Sequence, residues 1–312
     1  MLDIQLRENG PPDTFDNTIF SYAHKCPRAL YWFLRRLDQA DPPAYFAWGR
    51  AWGAGLNEWH RLQGDCPMPE RLQFATLKAL EEWEKEPPQE NRDNTWQNLE
   101  DTLELYAEVF GEEENWTMTY DKGEIGFALP IPGTSILYAG SIDAPITWPG
   151  YGKMIREDKT TGGYVTTSYV SQWEYASQVI GYLWAIHQVL GETPYGALMN
   201  IASKRKRKKG DEALRFGRII VEQTSWELAH FIQDTIIMAD DIRREWDRWI
   251  WPKLGKRDPI NCTGGMGRSP CVYRRLCQIE MEPWDLEESY DFGEEFTWRP
   301  EWKPWERSGE NE

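Results

Sequence analysis

The sequence predicts a mixed α/β (α+β) protein: a central mixed β-sheet flanked by helices, with a helical N-terminal subdomain and a C-terminal cysteine cluster. Two observations carry this expectation. Apolar and aromatic residues recur at helical spacing through 43–64, 69–86 and 94–110, and from residue 116 onward the pattern switches to that of strands. Helical spacing then returns at 168–190, followed by two further strands and a last helix, an order that suits a sheet with helices packed on it.

Residues 1–13 read as a loose leader. The stretch from Asp16 to Asp38 reads as two short helices broken at Cys26-Pro27, because proline suits the start of a helix. Strands are expected at 116–131, 135–147 and 153–161, the last two joined across Pro149-Gly150-Tyr151-Gly152, a hairpin signal. A long amphipathic helix follows at 168–190. The strands YGALMNIAS and LRFGRIIVEQ flank a basic loop, and a helix runs from Ser225, as N-cap, to Trp249. Residues 14–281 are expected to form one domain, with a helical part at 14–112, a core at 113–251 and a Cys-rich closing segment at 252–281. The tail, 282–312, carries Pro and Trp without periodicity and is expected to be disordered or to dock only in part.

With 312 residues, 40% hydrophobic and 28% charged, the chain has the composition of a soluble globular protein with a sizeable core. No apolar run approaches the length of a transmembrane helix, and MLDIQLRENGPPDTF lacks a signal layout, so a cytoplasmic protein without a membrane partner is expected. Most of the eighteen Trp belong in a core, with a minority available as stacking platforms. The net charge of −16 argues at first against a polyanionic partner. Its distribution matters more: residues 280–312 hold 12 acidic and 3 basic side chains, leaving the body at −7. That body contains six consecutive cations in SKRKRKKG, of which Lys204, Arg205, Lys206 and Arg207 are candidate phosphate contacts.

The stretch REDKTT, residues 156–161, carries the candidate chemistry. Glu157 and Lys159 share one face of a strand. An isolated E-x-K is usually a solvated ion pair, but Asp143 on the preceding strand adds a second carboxylate. Parity puts Asp143 on the same face only if the turn centres on Gly150 or Tyr151, where the turn residues lie. Divalent-metal phosphodiester hydrolysis needs such oxygen ligands for Mg²⁺ or Mn²⁺, and a lysine that stabilises developing charge. Further on, Gln178 and Tyr182 stand at i, i+4 on one helix face, which alone reads as ordinary helix surface.

Taken in order, G-S-I-D, E-D-K-T-T and Q-V-I-G-Y resemble the PD-(D/E)xK nuclease superfamily, specifically its RecB/AddB-like branch. The resemblance implies a restriction-endonuclease-like core, with Asp143 and Glu157 as metal ligands and Lys159 as the catalytic lysine. Gln178 and Tyr182 would contact DNA or orient the site. It implies a Mg²⁺- or Mn²⁺-dependent exonuclease on single-stranded DNA or duplex ends, with partners among recombination, replication or CRISPR-adaptation proteins. The branch usually opens with a G-x-x-x-H motif whose histidine binds metal. Here WGRAWGAGLNEWH departs from it: Gly53 or Asn57 takes the histidine position, and His60 follows two helical turns beyond Gly53. His60 is the substitute ligand to test, against a surface role. The departure keeps a rival open, a degenerate module that grips DNA or a partner and cuts little. RNA is a second substrate class.

The five cysteines are Cys26, Cys66, Cys262, Cys271 and Cys277. An odd count without an export signal argues against a disulfide framework. The spacing C-x8-C-x5-C lacks the close pairs of a zinc site. It resembles the closing cysteines of iron–sulfur nucleases such as AddB and the CRISPR-associated RecB-like exonucleases. Those proteins take a fourth ligand from an upstream C-P-R-type motif, here HKCPRALYWF. The resemblance implies a [4Fe–4S] cluster on Cys26, Cys262, Cys271 and Cys277, with zinc or unligated thiols as alternatives and Cys66 outside the set.

Overall fold

The structure, a computed structural model, describes residues 12–41, 43–111, 114–119, 123–246, 259–264, 270–278, 295–298 and 303–304. In chain order these form β1 (Thr14–Phe15), α1 (Asn17–Lys25), α2 (Pro27–Leu34), β2 (Leu37–Gln39), α3 (Ala44–Arg61), α4 (Met68–Lys85) and α5 (Trp96–Phe110). Next come β3 (Thr117–Met118), β4 (Ile125–Pro130), β5 (Leu137–Ile142), β6 (Ala144–Trp148), β7 (Gly152–Thr161), α6 (Thr167–Ser171) and α7 (Ser177–Leu190). The remainder are β8 (Gly196–Ser203), β9 (Phe216–Val221), α8 (Ser225–Trp246), α9 (Pro259–Thr263), α10 (Arg274–Gln278) and β10 (Phe296–Trp298). This is a mixed α/β protein whose sheets are flanked by helices. No described helix is long and apolar enough to cross a membrane.

The chain divides into two compact units, each assembled from separate stretches: 1–41, 128–140 and 230–304 make one, and 42–127, 141–229 and 305–312 the other. In the first, Asp16 caps α1 by accepting from the Ile19 N–H at 2.7 Å. Cys26 then adopts an extended backbone and Pro27 opens α2, so the break falls where the sequence places it. The described part of the tail does dock: β10 pairs antiparallel with β2, Thr297 opposite Asp38. The rest of the expected tail, and residues 1–11 of the expected leader, lie outside the described residues.

The second unit holds the central sheet, in the order β3-β6-β7-β8-β9. Only β7 and β8 run parallel, and α6 and α7 supply the crossover that a parallel pair requires. Every residue of β8 is buried, as expected for a strand covered on both faces. Helices α3, α4 and α5 pack through an aromatic core: Trp48 and Trp52 stack at 5.6 Å, and Tyr106 meets Trp52 edge-on at 5.6 Å. Gly55 lets α4 approach, since a Cβ there would lie 3.2 Å from the Ala75 carbonyl oxygen.

Four boundaries differ from expectation. The stretch 116–131 divides into β3 and β4, and 135–147 divides into β5 and β6 at a bend on Asp143. The helix expected over 168–190 is interrupted: a tight turn over 172–175 ends at Ala176, in extended conformation, before α7 begins. The cap of α8 is Thr224 rather than Ser225, for Thr224 Oγ1 accepts from the Glu227 N–H while Glu227 Oε2 accepts from the Thr224 N–H at 2.8 Å. That reciprocal pair is a capping box.

Trp52, 1% exposed, is expected to be the most informative core position. Replacing it with Ala should lower unfolding free energy by about 3–5 kcal/mol, read from urea denaturation. A loss under about 1 kcal/mol would show that the aromatic stack is not what holds α3 to α5.

Candidate active site and thiol cluster

The site is built by one register. Across the β6–β7 hairpin Trp148 pairs with Gly152 and Ala144 with Arg156, so the turn centres on Gly150, at φ 89°. The next position up brings Asp143 opposite Glu157. Asp143 sits at the bend, and its N–H leaves the ladder to donate to Glu157 Oε1 at 3.3 Å. Its own carboxylate accepts from the Asp158 N–H at 2.7 Å. Lys159 Nζ donates to Glu157 Oε2 at 2.9 Å, and the Trp173 ring lies 5.8 Å from the same nitrogen.

Helix α7 closes the site from its own face. Gln178 Nε2 donates to the Tyr182 hydroxyl at 3.2 Å, and burial, then the Glu157 charge, push the Tyr182 phenol upward. Asp143, Glu157, Lys159, Gln178 and Tyr182 are therefore brought together.

Electrostatics follow from burial. Glu157 is 1% exposed. Burial raises the Asp143 carboxyl well above the usual range, and the Glu157 charge adds to it. Burial also raises Glu157, with Lys159 opposing. Burial pulls the Lys159 ammonium down, but Glu157 and Asp143 outweigh that and hold it above the usual lysine range. When both are ionised, these two carboxylates facing one lysine leave an excess negative charge. A hard divalent cation offsets such a charge, and Mg²⁺ commonly takes one or two carboxylates and keeps several waters. Asp143 and Glu157 thus fit such an ion by donor chemistry, although among the described residues no three His, Cys, Asp or Glu converge on one point.

His60 is not brought to this cluster. Strand alternation sends Arg156 and Asp158 to the opposite face of β7, into a buried polar network. Arg156 pairs with Asp158 at 2.9 Å, Asn200 Nδ2 donates to Asp158 Oδ1 at 2.8 Å, and the Arg156 guanidinium donates to Asn57 Oδ1 at 2.6 Å. Tyr106 donates to Glu114 at 2.6 Å, and His60 Nδ1 lies 3.5 Å from Glu114. Burial, reinforced by Arg156, Arg218 and Arg71, holds His60 well below its usual range, so the ring is neutral. In the sequence this network leaves one local trace, the alternation of charge in R-E-D-K.

The basic loop divides as well. Lys204 is 3% exposed; its Nζ donates to the Tyr45 carbonyl at 3.1 Å and to Asn94 at 3.0 Å, and burial lowers it to about 8. Lys206 pairs with Asp101 at 2.8 Å. Arg205 and Arg207 lie over the Tyr164 ring. Lys204 is thus a structural tether, not an outward cation.

In the other unit, Cys26 stands between α1 and α2, and the Cys271 N–H donates to the Cys262 carbonyl at 3.1 Å. Burial pushes the Cys271 thiol up to about 11, with Cys277, Cys26 and Cys262 adding to the shift. The four thiols named from sequence therefore lie within electrostatic reach of Cys271. Cys66 belongs to the second unit.

The raised carboxyls have a consequence for pH. Unfolded Asp and Glu titrate near 4, so above about pH 4 the folded state holds more protons at this pair than the unfolded state. Stability of the metal-free protein therefore falls as pH rises through the folded values. Asp143→Asn is expected to raise Tm at pH 7 and to flatten that part of the pH profile. An unchanged profile would show that the pair is ionised without cost.

No family model matches the chain, and no curated protein matches it. Seven solved chains do. One, "Crystal structure of SSO0001", is 14% identical, with a TM-score of 0.32, and the match covers 79% of this chain and 88% of that one. Another, a "Putative exonuclease" from Eubacterium rectale, is 11% identical, with a TM-score of 0.46 and coverage of 79% and 86%. Likenesses at this level leave the chemistry to be read from the residues.

Proposed function

We propose that the chain is a Mg²⁺- or Mn²⁺-dependent DNA nuclease, acting as an exonuclease on single-stranded or end-accessible DNA. The observation that carries this reading is the register that sets Asp143 opposite Glu157, with Lys159 bonded to Glu157 on the same face. Asp143 and Glu157 would hold the ion, which when bound polarises a phosphate and acidifies a water. Lys159, kept charged by the two carboxylates, would stabilise charge developing on the phosphate oxygens. Tyr182 and Gln178 would orient the lysine and the substrate. Partners among recombination, replication or CRISPR-adaptation proteins belong to the same proposal. One observation favours a second reading, a DNA-gripping module that cuts little: His60 brings no third ligand to the carboxylates.

We also propose that Cys26, Cys262, Cys271 and Cys277 hold a [4Fe–4S] cluster. Four soft thiols near one another suit it. A cluster spreads its ligands over separate irons, whereas zinc, the alternative at the same thiols, would need all four to converge on a single ion.

End-labelled single- and double-stranded DNA incubated with Mn²⁺ or EDTA tests the first proposal. Cleavage is expected with Mn²⁺ only, and Asp143→Ala or Lys159→Ala should each reduce it by about 10²–10³-fold. Activity that survives EDTA, or variants that cut normally, would reject it; DNA binding without cutting in any metal would favour the second reading.

The second proposal is checked by metal analysis of protein purified without oxygen, which should be brown and hold about four irons per chain. Cys26→Ser or Cys271→Ser should bleach it and lower Tm, and Cys66→Ser should do neither. Colourless protein with one zinc would overturn the cluster.

A further inference from the structure

The loop that leaves β8 is built onto the loop that leaves β7. Thr161, at the end of β7, pairs with Ser203, at the end of β8. Beyond that pair, the Lys204 N–H donates to the Thr161 carbonyl at 2.9 Å. Ser203 Oγ donates to the Gly163 carbonyl at 2.7 Å and accepts from the Arg205 N–H at 3.0 Å. The buried Lys204 side chain anchors the same corner. Val165, one residue past Tyr164, packs so closely on β9 that a Cβ on Gly217 would lie 2.5 Å from its Cγ1. Tyr164 and Arg205 are therefore displayed by pinned backbone, and Arg207 is tied through its side chain, which donates to the Leu214 carbonyl at 3.5 Å.

The side chains at this corner form a stack. The Arg205 and Arg207 guanidinium carbons lie 4.5 Å and 4.0 Å from the centre of the Tyr164 ring, and Tyr164 remains 44% exposed. Among the described residues neither arginine is paired with a carboxylate, while their neighbour Lys206 is paired with Asp101. Stacking an arginine on a ring orders its flat face and turns N–H edges toward solvent, where they can take the oxygens of a carboxylate or phosphate. Tyr164 lies five residues beyond Lys159 in the chain, so about 18 Å at most separates their backbones.

We propose that Arg205 and Arg207, ordered on Tyr164, form a clamp for single-stranded nucleic acid: the guanidinium edges bind backbone phosphates and an unpaired base stacks against the exposed part of the ring. The proposal rests on the nuclease reading for its orientation, since the clamp would hold a strand whose adjoining phosphates reach Lys159. Arginine forks bind phosphate oxygens through paired charge-assisted bonds. An aromatic ring takes the face of any base, but only one freed from a duplex. In a chain of net charge −16, this corner sets cations without acidic partners beside a strand end that carries paired acids.

The test is fluorescence anisotropy of a labelled oligothymidylate and of a blunt duplex, in EDTA so that nothing is cut, with cleavage in Mn²⁺ followed separately. Tyr164→Ala is expected to weaken oligothymidylate binding about tenfold, Tyr164→Phe to retain it, and the duplex to respond little. Changing Arg205 and Arg207 together to Ser should flatten the slope of log affinity against log salt by about 0.7 for each phosphate released. Changing the neighbouring exposed Lys208 and Lys209 to Ser should weaken binding less. The clamp is overturned if wild-type protein binds no oligothymidylate, if Tyr164→Ala binds normally, or if the lysine pair matters as much as the arginines. Equal loss on the duplex would also overturn it. Wild-type protein that cuts DNA while Tyr164→Ala binds normally removes the clamp and spares the nuclease reading. Binding that depends on Tyr164, without cleavage, does the reverse.

Discussion

Everything at the candidate site depends on the register of one hairpin. Side chains alternate across a strand, so a slip by one residue would send Glu157 and Lys159 to the opposite face and Arg156 and Asp158 toward Asp143. The turn at Gly150 and Gly152, both with positive φ, holds that register because a residue with a Cβ adopts such backbone only at a cost. Asp143 then stands at a bend where the chain stops pairing in its first sheet and starts in another. Its N–H and carboxylate are free to bond to Glu157 and to the Asp158 peptide instead of to a ladder.

Strand β7 serves two environments. On one face Glu157 and Lys159 meet Asp143 and the Tyr182 face of α7. On the other, Arg156, Asp158, Asn200 and Tyr106 form a buried network with Arg218, Glu114 and His60. Burying such pairs returns little net stability, because desolvation offsets their attraction. What the network provides is position. Asp158 is held through its side chain by Arg156 and Asn200 and through its N–H by Asp143, so the carboxylate at the bend is linked to the packed interior. On the Glu157 face, burial leaves Asp143 and Glu157 as carboxyls that resist ionisation, a feature common where a site is arranged for chemistry rather than for stability.

The thiol cluster obeys a different logic. A cluster held there would join Cys26 to the last helices of its unit, across the 236 positions from Cys26 to Cys262. Crosslinking ends so distant removes more freedom from the unfolded chain than from the folded one. The raised Cys271 thiol stays protonated when free, so its ligation would release a proton and be favoured by rising pH.

Local patterns were legible in the sequence: the helices at 44–61, 68–85 and 96–110, the Cys26-Pro27 break, the hairpin about Gly150, and the shared face of Glu157 and Lys159. Each depends on period or turn chemistry, which neighbouring residues determine by themselves. The grouping of Gln178 and Tyr182 with that face, and of four distant cysteines, came only through a family resemblance. Tertiary structure decided the rest. It took Lys204 out of the basic loop because a lysine between two strands met the Tyr45 carbonyl and Asn94. It put His60 behind the sheet because α3 packs on the Arg156 side of β7, a choice no helical period encodes. It bent the chain at Asp143 where alternation alone predicts a continuous strand. Which face of an element is covered, and by what, is set by contacts between residues far apart in sequence, and those contacts exist only once the chain has folded.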